Sequence, residues 1–112
     1  MSRRKGITAE REVAKWLKAH GFPHADRRGS GFEASDIIGT PGISWEIKNQ
    51  AAVRLREWFA QMVDQRDADG AEVGVLIIKR EGYVDPGDWY AVVTLADLAA
   101  MLEVFQLHDE DC

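Results

Sequence analysis

The sequence predicts a single α/β domain in which a mixed five-stranded sheet is flanked by helices. Three observations lead to that class. A chain of 112 residues has the length of one domain, and 46% apolar with 29% charged residues is enough to close one hydrophobic core. Apolar spacing switches between the three-and-four period of an amphipathic helix and the alternation or β-branched run of a strand. The resulting order is helix, three strands, helix, two strands, helix, which implies a mixed sheet with helices packed on it.

Thr8 is the expected N-cap of a first helix over about 9–20, with Ala9, Val13, Trp16, Leu17 and His20 on one face and Gly21 as its stop. Phe22 to Arg28 reads as a short strand, followed by a polar, glycine-rich loop from Gly29 to Ser35. Asp36-Ile37-Ile38 resumes a strand, Gly39-Thr40-Pro41-Gly42 turns the chain, and Ile43 to Lys48 alternates as a half-buried strand, so the two are expected to form a hairpin. Leu55, Trp58, Phe59, Met62 and Val63 mark a second helix over about 54–66, closed near Gly70. Their stripe is core, part of it available to a dimer contact. Val73 to Lys79 is a β-branched run suited to a central strand, and Asp85-Pro86-Gly87 turns the chain into a last strand over Trp89 to Val93. Thr94 with Asp97 three residues on resembles a capping box for a final helix through Met101 or Glu103, leaving an acidic, frayed tail over about 106–112.

Composition excludes several function classes. No stretch reaches the roughly 20 apolar residues of a membrane span, and the opening Met1-Ser2-Arg3-Arg4-Lys5-Gly6 lacks the apolar run of a signal peptide, so an intracellular, cytoplasmic protein without membrane contact is expected. The single cysteine, Cys112, is terminal, and His20, His24 and His108 do not form a zinc pair. Net charge is −5, yet residues 1–31 carry eight basic against three acidic side chains, net +5, which leaves −10 for the remainder. Such a division presents one basic face to a polyanion; chance clustering on solvated surfaces is the plainer alternative.

The chemistry lies in Asp36 and, ten residues later, Glu46-Ile47-Lys48. Alternation along a strand puts Glu46 and Lys48 on one face. With Asp36 opening from the neighbouring strand onto that face, two carboxylates and an ammonium converge. Hard oxygen ligands with open positions suit Mg²⁺ or Mn²⁺, and an ammonium alongside can stabilise an attacking hydroxide or charge building on phosphorus. Glu10, on the first helix, is a further candidate ligand. A (D/E)-x-K triplet arises about once by chance in a chain this long, and a surface ion pair is its simplest alternative reading. The placement inside an apolar strand, after an Asp at hairpin spacing, strengthens the signal.

Lys5-Gly6, Ala9-Glu10-Arg11-Glu12, Gly21-Phe22, Arg28-Gly29-Ser30-Gly31, Asp36-Ile37-Ile38 and Glu46-Ile47-Lys48 together resemble the archaeal-type Holliday junction resolvases and their phage relatives, within the PD-(D/E)xK nucleases. The likeness covers about the first half of the chain. It implies a restriction-endonuclease-like fold, a homodimer and Mg²⁺-assisted or Mn²⁺-assisted cleavage of DNA, branched DNA above all. Carried over by position, the catalytic set is Glu10, Asp36, Glu46 and Lys48 with Ser30 beside the cut. The metal ligands would be Asp36, Glu46, Ile47 and Glu10, and the DNA contacts Arg3, Arg4, Lys5, Arg27, Arg28, Gly29 and Ser30. Ser35 stands where the motif's proline would be. Two other functions fit the same residues: a nickase or end-processing nuclease, and a DNA-binding module without catalysis. The tryptophans Trp16, Trp45, Trp58 and Trp89 are expected in the core or an interface.

Overall fold

A computed structural model describes residues 3–28 and 35–110, with side chains for 5–28 and 35–106. Helix α1 spans Arg3–Ala19, β1 Asp26–Arg27, β2 Ile37–Ile38, β3 Ile43–Lys48, α2 Leu55–Asp69, β4 Val73–Ile78, β5 Tyr90–Val92 and α3 Leu95–Glu110, with a 3-10 turn at Pro86–Asp88. The class is α/β, as expected. The strands, however, divide into a two-stranded antiparallel sheet, β1-β2, and a three-stranded one, β3-β4-β5, in which β3 and β4 are parallel and β5 antiparallel to β4. A single five-stranded ladder is not what the hydrogen bonds draw.

Helix α1 starts at Arg3, so Thr8 lies inside it rather than capping it. The extra turns contain arginine and lysine, good helix formers, and only Gly6 opposes them, by about 1 kcal/mol relative to alanine. The helix closes as expected: Gly21 takes φ +101° and Phe22 N–H donates to Leu17 O. That closing turn consumes Phe22 to Ala25, leaving β1 only two residues of the seven expected. Gly70 ends α2 in the same way, at φ 65°, with Ala71 N–H donating to Arg66 O.

The run Val73–Ile78 is apolar throughout because β4 is covered on both faces. Val75 and Ile77 join Trp45, Ile47, Trp89 and the α1 residues Ala9, Val13 and Leu17 in one cluster; Leu76 and Ile78 join Trp58 and Met62 of α2 in another. All four tryptophans are at least partly buried in this core. Gly74 has no side chain because Met62 and Arg66 of α2 occupy the space where one would stand. Each fully buried Leu or Met contributes roughly 1.5–3 kcal/mol, so these clusters hold β3 as a rigid floor.

Thr94 does cap α3, its Oγ1 accepting from Asp97 N–H at 3.1 Å. The helix runs on to Glu110, well past Glu103, and thus takes in most of the segment expected to fray. Leu95, Leu98, Met101, Leu102 and Phe105 fall on one exposed face of it, Leu95 at 79% and Phe105 at 72% exposure. The chain is accordingly long for its size, 48 × 28 × 26 Å. Among the described residues no helix is long and apolar enough to cross a membrane.

Candidate active site

The strand β3 pairs with β4 along one edge and offers its other edge to the segment that enters β2. Across that second edge Asp36 N–H donates to Trp45 O at 2.9 Å, and Trp45 N–H donates to Ser35 Oγ at 2.8 Å. Ser35 is buried, and its hydroxyl in turn donates to Ile37 O at 2.7 Å. The expected hairpin therefore exists as a short clasp instead of a ladder. Its turn depends on Gly39, at φ +83°, where a Cβ would overlap the His24 carbonyl.

The clasp sets Asp36 against β3: Ile47 N–H donates to Asp36 Oδ2 at 2.7 Å. Glu46 and Lys48 share the α2 face of the strand, as alternation requires, with Lys48 Nζ 3.3 Å from Glu46 Oε2 and 5.9 Å from the centre of the Trp58 ring. Their side chains are only 19% and 18% exposed, so the pair is no solvated surface bridge. Glu10 reaches the same region from α1, its Oε1 accepting from Arg27 Nε at 2.9 Å.

Electrostatics link the four groups. Burial, and then the neighbouring Glu46 carboxylate, push the Asp36 carboxyl from 3.8 up to about 7, with Glu10 adding to the rise while the Ile47 N–H and Lys48 oppose it. Glu10 is paired with Arg27 and Glu46 with Lys48, so the third carboxyl, Asp36, adds negative charge to a partly dehydrated corner whose two cations are already engaged. Such a place favours an additional cation. Among the described residues no group of three His, Cys, Asp or Glu side chains is near enough to bind a metal ion unaided. Asp36 and Glu46 would need oxygens from the main chain, from water or from a substrate phosphate to complete a shell, as Mg²⁺ commonly allows.

The expected DNA contacts are placed unequally. Lys5 is exposed on α1, and Arg28 is half-buried, its N–H donating to Asp36 O at 3.0 Å. Arg27 is held by Glu10 rather than projecting freely. Arg3 and Arg4 lie on α1 with side chains outside the described residues, as do Gly29 and Ser30 altogether. Sequence reasoning missed the role of Ser35, because a buried serine bridging two strands has no periodic signature.

No family model matches the sequence, and neither the curated proteins nor the solved structures give a significant match.

Proposed function

We propose that this chain is a metal-dependent endodeoxyribonuclease, acting as a homodimer on branched DNA such as four-way junctions. One observation carries the reading: the Asp36 carboxylate, anchored on Ile47 N–H, is raised to about 7 by burial and by Glu46, with Lys48 3.3 Å from that glutamate. The bonds from Asp36 N–H and Trp45 N–H across the sheet boundary support treating β1 to β5 as one interrupted, restriction-endonuclease-like sheet.

Asp36 and Glu46, with the Ile47 main-chain oxygen, would hold Mg²⁺ or Mn²⁺, while Glu10, paired with Arg27, adds only to the local negative charge. When bound, such an ion polarises the scissile phosphate and lowers the pKa of a water nearby. The chain's own groups do the rest. Glu46 fixes the Lys48 ammonium, which is then placed to stabilise charge on the attacking oxygen or on phosphorus. The cation–π contact with Trp58 restricts Lys48 further. Arg28, from the basic N-terminal third, supplies a phosphate contact that orients the duplex without reading its sequence.

The exposed apolar face of α3 supports a dimer, since a helix this hydrophobic is ordinarily covered. Two sites related by a twofold axis suit paired strands of a junction.

The test is cleavage of four-way junction, flap and linear duplex with Mg²⁺, Mn²⁺ or chelator. Metal-dependent cutting, greatest on the junction, is expected, with Lys48→Ala slower by roughly 100-fold or more. Full activity in Lys48→Ala or Asp36→Asn would remove this site from the reaction, and equal cutting of all substrates would reject junction preference.

A further inference from the structure

Next to the candidate site lies a groove that the reaction itself does not use. The strands β3 and β4 are parallel, so Lys48 and Ile78 end side by side, and Lys79 N–H donates to Lys48 O at 3.0 Å. Just beyond them opens a groove of about 870 Å³ whose walls include Asn49, Lys79, Arg80, Tyr83 and Tyr90, together with Lys5 of α1. Asn49 is the residue after Lys48, and its side chain donates to Lys5 O at 3.4 Å. The groove is thus continuous with the catalytic strand.

Its chemistry is specific. The Arg80 guanidinium carbon is 3.7 Å from the centre of the Tyr83 ring and 5.0 Å from that of Tyr90. One Nη donates to Asp88 O at 2.9 Å, but the buried Nε has no hydrogen-bond partner among the described residues. Native folds seldom leave such a donor idle unless a ligand or water meets it. Both tyrosines are about half exposed, at 44% and 54%. Lys5, Lys79 and Arg80 outnumber the single acid of the lining, Glu81, in a chain of net charge −5. Lys79 is steadied by Glu12 at 3.5 Å.

We infer that this groove takes an unpaired DNA strand beside the cut, its bases stacking on the exposed ring surface of Tyr83 and Tyr90 that Arg80 does not cover and its phosphates facing Lys5 and Lys79. The inference rests on the nuclease reading and narrows its branched substrate to a junction in which one strand opens next to the scissile bond. Aromatic faces flanked by cations accept any base, because stacking needs no particular edge and the cations track the backbone. Paired bases in a duplex do not expose their faces, so the platform discriminates by pairing state.

The experiment uses the full chain carrying Asp36→Asn, which holds DNA uncut, and measures binding of a short fluorescein-labelled oligothymidylate and of a blunt duplex. Tyr83→Ala and Tyr90→Ala are each expected to weaken oligothymidylate binding about tenfold, with Tyr90→Phe close to the parent and duplex binding altered less than about twofold. Photocrosslinking of an iododeoxyuridine oligomer to the parent should label the peptides bearing Tyr83 or Tyr90, a readout that does not depend on any tyrosine variant folding. Crosslinks confined to other segments, unchanged oligothymidylate binding, or an equal loss on the duplex would overturn the inference. So would tyrosine variants that bind DNA normally but dissociate a dimer, which would make the groove a protein contact. Failure of the unsubstituted chain to cut any DNA, with the oligomer still held on these tyrosines, would sink the nuclease reading and leave the groove assignment standing.

Discussion

Replacing Asp36 with asparagine is expected to strengthen the fold at alkaline pH while removing cleavage. The native carboxyl titrates at about 7 against 3.8 in the reference state. Between those values the folded chain keeps a proton that the unfolded chain has released, so stability falls as pH rises and levels off above about 7. A displacement of roughly three pH units at 1.36 kcal/mol each makes the loss about 4 kcal/mol. Asparagine is neutral throughout, and its side-chain oxygen can still accept from Ile47 N–H. The difference in unfolding free energy between variant and parent should therefore grow by about 4 kcal/mol from pH 4 to pH 8, a gain of about 10 °C or more in melting temperature at the alkaline end. Urea unfolding of both proteins across that range, without metal, measures it. Mg²⁺ at pH 8 should restore part of the difference in the parent only, by binding the native state. A gap that stays constant with pH to within about 1 kcal/mol would refute the reasoning, because Asp36 would then not be a buried acid crowded by Glu46.

Other expected outcomes follow from single contacts. Ser35→Ala removes the hydroxyl that accepts from Trp45 N–H and donates to Ile37 O, and chemical denaturation should show a loss of about 1–3 kcal/mol. Gly39→Ala forces a Cβ onto the His24 carbonyl at positive φ, so a loss of about 2 kcal/mol or more is expected in the same assay; a neutral result would contradict the turn geometry. Phe105→Glu on the exposed face of α3 should convert a dimer to monomer in sedimentation velocity with little change in melting temperature, and a persistent dimer would move the interface elsewhere.

Much of this architecture was legible because periodicity reports burial. Ile43–Lys48 was readable to the residue, since its alternation records one face toward α1 and the other toward α2. Gly21 and Gly70 announced their helix ends through the backbone conformation that each must adopt. Less was readable where tertiary contacts decide. β1 was overestimated because the closing turn of α1 uses the same apolar residues that mimic a strand. The pairing of Glu46 with Lys48 followed from spacing, whereas the ion pair between Glu10 and Arg27 joins residues with no local relation. Arg80 between Tyr83 and Tyr90 was equally hidden: the residues come from two segments brought together by the β4-β5 pairing.

The smaller sheet consists of two strands of two residues each, and Asp36 stands at its threshold. So few ladder bonds open at far less cost than the packed layer of β3 and β4. Warmth or dilute denaturant should consequently silence the molecule while its tryptophans remain enclosed, and amide exchange at Ile37 should outpace that at Val75. The proposed site, in other words, is mounted on the part of the chain expected to let go first.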